Sequence, residues 1–216
     1  MSETARAEVT ALIQGVEIAD SKAALVQAVA RLAALRHPHA IPTLIRVLGY
    51  NNPGAAVAAV EGLVALGTAA VDSLLTELDG YNYGARAWAI RALALIGDPR
   101  ALPVLLEATT ADFALSVRRA AARGVGAINW ERLPADQVPG AQAEVLQVLQ
   151  QAIQDPEWVV RYAAVVSLQT LARAARVADL PVIGAALEQV LREDRTLAVQ
   201  ARAQWALDQL RSPIPN

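Results

Sequence analysis

Apolar residues recur along this chain at helical spacing, in stretches that end at glycine, proline or asparagine. The stretches come in pairs, a leucine-rich helix and then an alanine-rich one. Residues 38–48 predict a first helix and 53–66 its partner, closed by Gly67. Residues 69–78 and 84–96 repeat the pair, closed by Gly97, and 99–108 with 113–128 repeat it again. Longer pairs follow over 140–154 with 156–173 and 179–192 with 195–210. An initial pair covers 4–14 and 21–36, with Ser21 placed to cap the second helix. The predicted pairs are therefore 4–36, 38–66, 69–96, 99–128, 140–173 and 179–210.

The second helices align position by position. Leu63, Leu93, Val125, Leu168 and Leu207 fall at equivalent places, spaced 30, 32, 43 and 39 residues apart. Each second helix has one apolar stripe and must stack on its neighbours to bury it. The expected fold class is all-α, a superhelix (solenoid) of stacked hairpins forming a single domain over 1–216. The longest spacing comes from residues 129–139, whose two prolines predict an inserted loop, read as a bend between two halves of the solenoid. Asp112 precedes Arg118 by six residues, and Asp155 precedes Arg161 by six. This spacing resembles that of HEAT repeats, where the aspartate at the turn and the arginine early in the second helix pair along the stack. Asp194 keeps the position, but Gln200 replaces the arginine, so the last repeat is expected to lack half of the pair.

Composition narrows the function classes. Aromatic residues make up 4% of the chain, so alanine, leucine and valine carry most of the 55% that is hydrophobic. A net charge of −2 argues against nucleic acid as a partner. No cysteine is present, which removes thiolate metal sites and cysteine nucleophiles and fits a cytoplasmic location. His37 and His39 flank Pro38 with no further histidine to complete a metal site, so no metal is expected. The N-terminus is too polar for a signal peptide, and no apolar run is expected to approach the roughly 20 residues that span a bilayer. Lys22 is the sole lysine, so nearly every cation is a guanidinium, a group suited to carboxylates.

Two adjacent repeats break the acidic-turn pattern in the same way. One second helix opens Tyr50-Asn51-Asn52-Pro53-Gly54-Ala55, the next Tyr81-Asn82-Tyr83-Gly84-Ala85. Stacking would bring the two turns to one edge as a patch of phenol, amide and helix N-terminal N–H groups, able to bind an anion. Equally, the asparagines can cap their helices and the tyrosines pack between turns. Helical spacing puts Trp88 on the stacking face with Ala85, Ala89, Ala92 and Leu93, and leaves Arg91 off it. Arg119 and Arg123 share one side of their helix, as a solvated face or as a guanidinium cluster for a carboxylate ligand.

The segments 50–60, 81–94 and 112–124 closely resemble the F-type subunit of the E/F-type phycobilin lyases. The resemblance extends over most of the chain and is sharpest between about 40 and 130. It implies a subunit of a heterodimeric enzyme whose E-type subunit is its partner. Such lyases attach phycocyanobilin, an open-chain tetrapyrrole, through a thioether to a cysteine of the apo-phycocyanin α-subunit. The bilin is then substrate, no prosthetic group is implied, and the nucleophilic thiol belongs to the acceptor. The isomerising relatives are associated with a histidine-cysteine motif that this cysteine-free chain lacks, so the resemblance implies attachment without isomerisation. Candidate contacts to the bilin or the partner are Tyr50, Asn51, Asn52, Tyr81, Asn82, Tyr83, Arg86, Trp88, Arg91, Arg119 and Arg123. Asp112 is the best-placed carboxylate for pyrrole N–H groups or for acid catalysis, and equally a structural partner of Arg118. The other reading is a non-catalytic HEAT-repeat adaptor or chaperone acting on phycobiliproteins.

Overall fold

A computed structural model describes residues 3–79, 82–175 and 179–211. Among these residues every regular element is helical, and the helices follow one another in antiparallel pairs as a HEAT-type repeat requires. The chain divides into two compact units, Met1–Ile96 and Gly97–Asn216.

In the first unit, α1 (Glu3–Glu17) precedes α2 (Lys22–Ala34), α3 (Ile41–Leu48) precedes α4 (Pro53–Leu66), and α5 (Val71–Thr76) precedes α6 (Tyr83–Ile96). The second helices pack on one another as a layer, with α4 against both α2 and α6. Their alanines let the helices approach closely, and Leu63 and Leu93 are fully buried. Ser21 caps α2 as its side-chain oxygen accepts from the Ala24 N–H at 3.1 Å. His37 is likewise used locally, its Nδ1 accepting from the His39 N–H at 3.2 Å.

The second unit contains α7 (Leu102–Ala111), α8 (Leu115–Gly124), α9 (Val138–Ala152), α10 (Trp158–Ala174), α11 (Leu180–Glu193) and α12 (Leu197–Arg211). Here α10 packs between α8 and α12, and Val125, Leu168 and Leu207 are buried along that layer. Gly126 permits the closest approach. A Cβ there would overlap the Ser167 carbonyl oxygen, and the Gly126 N–H donates to Ser167 Oγ at 2.7 Å. Gly126→Ala is therefore expected to cost about 3 kcal/mol, the upper end for over-packing, because one obstructing atom is backbone. Urea denaturation measures this, and an unchanged midpoint would refute the close-packing account.

Two sequence expectations need correction. Within the 24-residue stretch Pro53–Thr76 an 18-residue window has mean hydropathy 1.8, so an apolar run does reach spanning length. Alanine and valine density produces it, and the backbone interrupts it: Gly67 has φ +61°, a conformation open to glycine. The 14-residue α4 and 6-residue α5 rise only about 21 and 9 Å, short of a bilayer's roughly 30 Å. The second correction concerns 129–139. The helix α9 already begins at Val138, with Pro139 in its first turn, where a fixed φ favours helix entry. The division of the chain falls at Ile96–Gly97 and not at this insertion. The insertion is tied down within the second unit: the Asn129 N–H donates to the Gly97 carbonyl at 2.8 Å, and Arg132 approaches Asp98 at 3.5 Å. Asp98 is buried, and its hydrogen bonds to Arg100 hold its carboxyl below the usual value despite that burial.

Candidate functional site

In the first unit the two Tyr-Asn turns are built alike. Asn52 caps α4, its side-chain oxygen accepting from the Ala55 N–H at 3.2 Å, and its Nδ2 donates to the Lys22 carbonyl at 3.1 Å. Asn82 caps α6, accepting from the Ala85 N–H at 3.0 Å and donating to the Gly49 carbonyl at 3.4 Å. Each amide thus closes its own helix and ties it to the preceding repeat. The patch of helix N-terminal N–H groups expected from the sequence is in part already occupied by these oxygens. Asn51 is exposed, Tyr50 is 37% exposed and Tyr83 is 46% exposed, so their polar and aromatic edges face outward. Tyr81 lies outside the described residues.

Behind the turns runs a groove of about 630 Å³, lined by Ile45, Leu48, Gly49, Asp72, Ala85 and Ala89 among others. A shallower hollow of about 230 Å³ lies before Tyr50, Asn51 and Asn52. Trp88 is half-buried rather than a core residue, and the exposed Arg91 guanidinium stands 5.8 Å from its ring centroid. Arg86 is placed in the same way, 5.7 Å from the Tyr83 ring. By register Arg86 also occupies the position of Arg118 and Arg161.

In the second unit the aspartates and arginines form a ladder that runs between repeats. Arg118 Nε donates to Asp155 at 2.8 Å, and Arg161 Nε donates to Asp194 at 2.7 Å. Each arginine also donates to carbonyls of its own turn: Arg118 to Asp112 and Phe113, Arg161 to Asp155 and Pro156. The last repeat lacks the arginine's ion-pairing half, as its sequence suggests, and keeps the backbone half. Gln200 Nε2 donates to the Asp194 carbonyl at 2.6 Å, replacing the backbone half of the arginine's role. Asp112 Oδ1 accepts from the Ala114 N–H at 2.8 Å, the same turn geometry that Asp155 and Asp194 adopt. Arg119 and Arg123 are both exposed on α8. No group of three or more metal-ligating side chains occurs among the described residues.

The fold and these positions can be set beside known proteins. Residues 71–169 match the HEAT-repeat family. The phycocyanin alpha phycocyanobilin lyase CpcF of Synechocystis sp. (strain ATCC 27184 / PCC 6803 / Kazusa) is 51% identical over 94% of each chain. The chain belongs to the F-type subunits of the phycobilin lyases. A phycocyanobilin lyase subunit beta of Nostoc sp. (strain PCC 7120 / SAG 25.82 / UTEX 2576) is 49% identical over 92% of this chain and 98% of the relative. The solved complex of CpcE and CpcF of phycocyanin lyase from Nostoc sp. PCC7120 contains a chain 50% identical to this one, with a TM-score of 0.73 over 78% of this chain and 98% of that one. A designed armadillo repeat protein, 19% identical with a TM-score of 0.52 over 94% of this chain and 100% of that one, shares the fold alone.

Within this F-type subunit the sequence reading missed one feature of the second unit. Leu115, Trp158 and Leu197 each stand three residues after the ladder aspartate, and all are exposed, at 45%, 46% and 80%. Phe113, 85% exposed, lies beside the first of them in sequence. The signal was legible: three equivalent positions opening second helices are apolar where a lone hairpin would carry polar residues.

Proposed function

We propose that this chain is one subunit of a heterodimeric lyase that, with an E-type subunit, attaches phycocyanobilin through a thioether to a cysteine of the apo-phycocyanin α-subunit. The observation that carries this reading is the 51% identity to a phycocyanin alpha phycocyanobilin lyase over 94% of both chains. The 50%-identical chain in the solved CpcE–CpcF complex supports the heterodimer. Phycocyanobilin is the substrate, no prosthetic group takes part, and the setting is the cytoplasm.

The acceptor's cysteine thiol adds across the exocyclic double bond of bilin ring A. A carbon–sulfur bond forms, the double-bond electron pair moves to the adjacent ring carbon, and that carbon takes a proton; nothing leaves. This subunit has no cysteine, so the sulfur comes from the acceptor. Its part is to hold a flexible chromophore in one conformer and present ring A to the thiol, where orientation carries much of the rate. Tyr50, Asn51 and Tyr83 at the turn edge, Arg91 over Trp88, and Arg119 and Arg123 on α8 are the outward groups for bilin or partner. Asn52 and Asn82 support the turns from beneath. Asp112 shares the turn geometry of the two ladder aspartates, which favours a scaffold role over acid catalysis. The product keeps the phycocyanobilin skeleton, without isomerisation.

Co-expression with the E-type subunit, apo-α-phycocyanin and a bilin source tests this reading. A covalent chromophore on a denaturing gel is expected only when both lyase subunits are present. The adaptor reading draws on a 52%-identical relative in Synechococcus elongatus (strain ATCC 33912 / PCC 7942 / FACHB-805), named a phycobilisome maturation protein. It predicts phycobiliprotein binding with no transfer.

The exposed apolar positions on α8, α10 and α12 supply a partner-facing surface. Trp158→Ser with Leu197→Ser should weaken assembly with the E-type subunit about tenfold or more, since buried aromatic anchors dominate interfaces. Calorimetric titration of one subunit into the other measures this, and unchanged affinity would place the interface elsewhere.

A further inference from the structure

In the layer of second helices of the second unit, Arg202 of α12 donates through Nη2 to Gln169 Oε1 of α10. Gln169 is 4% exposed. The guanidinium in front of Oε1 fixes the amide orientation, because a flipped amide would set donor against donor. That leaves Gln169 Nε2 as a buried donor, and Arg202 Nη1 as a second one. Neither finds an acceptor among the described residues. Buried polar groups in folded proteins are paired almost without exception, so two orphan donors on one guanidinium–amide pair need a reason. Two further guanidinium groups add positive charge around them. Burial pulls Arg202 below the usual guanidinium value; Tyr162 opposes this, and the like charges of Arg123 and Arg173 reinforce it. The Trp205 ring lies over the Arg202 guanidinium at 4.4 Å and is 49% exposed.

We propose that Arg202 and Gln169 form the seat for one propionate carboxylate of the bilin, with Trp205 as its cover. A carboxylate brings two acceptor oxygens in one plane and no donor, which is what two unpaired N–H donors lack. The half-exposed indole turns outward to admit it and then lies against the tetrapyrrole edge. This rests on the lyase reading above and extends it to residues outside the Tyr-Asn turns. It also gives the exposed Arg123 a purpose, steering the carboxylate toward the buried pair.

The test uses the heterodimer with the E-type subunit, titrated with phycocyanobilin as free acid and as dimethyl ester and followed by visible absorbance. The wild-type complex should prefer the acid about tenfold or more, the worth of a charge-assisted pair of hydrogen bonds. Arg202→Met with Gln169→Leu should lose about tenfold in affinity for the acid and keep the wild-type affinity for the ester, since only one of the two carboxylates loses its seat. The melting temperature of this double variant should not fall, since it removes two unpaired donors. Arg202→Lys retains charge without the planar fork and should show an intermediate preference. An undiminished acid preference in either variant overturns the seat. Equally decisive against it would be a double variant that assembles more weakly with the E-type subunit yet binds bilin as tightly as the wild type once assembled, since the pair would then serve a carboxylate of the partner. A wild-type complex that binds neither acid nor ester would instead bring down the lyase reading along with the seat.

Discussion

Arg161→Met should lower the unfolding free energy by about 3 kcal/mol, the low end for breaking a buried ion pair at the edge of a stack. Arg161 and Asp194 are 15% and 3% exposed, and the pair is bidentate, with Nη2 donating to Asp194 Oδ1 at 3.0 Å beside the Nε contact. Methionine keeps most of the stem packing and leaves Asp194 buried without its cation. The pH dependence separates this from a packing loss. In the wild type, burial pushes the Asp194 carboxyl up, but Arg161 and the Thr196 N–H and hydroxyl outweigh it, so the folded value lies below the ordinary 3.8. A carboxyl lowered on folding stabilises above its ordinary value and loses that stabilisation as pH falls through the folded one. The deficit of the variant should therefore be full at neutral pH and shrink below about pH 4, where protonation relieves the stranded charge. A deficit of equal size at about pH 3 would mean that packing alone was lost. Arg91→Met, an exposed site, should stay within about 0.5 kcal/mol of the wild type.

The ladder shows how much of this fold the sequence could carry. Helical period and turn residues place the helix pairs, and Ser21 caps α2 as its position suggests. The five aligned positions from Leu63 to Leu207 are all buried, because one repeat cannot bury its stripe alone. The aspartate–arginine spacing of six was visible, but the strongest contacts join residues 37 and 33 apart, across repeats. A spacing rule within one repeat cannot tell which turn supplies the carboxylate. Pro139 reads as a loop residue in the sequence yet opens α9, since a proline ends a helix or begins one depending on which backbone N–H groups are already unpaired.

The site was less legible than the scaffold. The Tyr-Asn repetition marks two turns that differ from the acidic ones, yet Asn52 and Asn82 spend both ends of their amides on helix caps and inter-repeat bonds. An asparagine before a helix reads alike as cap or ligand contact until its partners are known. The pairing of Arg202 with Gln169 joins residues 33 apart on different helices, each unremarked in its own segment. No local pattern reveals a donor left without an acceptor; only the packed layer does.

Tyr83→Ala with Arg91→Ala should reduce covalent transfer of phycocyanobilin about 100-fold in the presence of the E-type subunit. Tyr83 is 46% exposed beside the Asn82 cap, and the exposed Arg91 stands over the half-buried Trp88, so both side chains reach outward from a fixed base. Transfer requires ring A within bonding reach of the acceptor thiol, and a displacement of about 1 Å at that step costs on the order of a hundredfold. Stability should change little, because neither side chain belongs to the buried layer formed by Ala89, Ile90, Ala92 and Leu93. Helicity, melting temperature and affinity for the E-type subunit are measured alongside the gel assay, so a folding defect cannot pass for lost function. Asn82→Ala makes the contrast: loss of the α6 cap should cost about 1 kcal/mol, with transfer falling through disorder of the turn. A folded double variant that pairs normally and transfers bilin at the wild-type rate would show that these turns serve the stack alone. The chromophore would then have to be oriented by the second unit or by the E-type subunit.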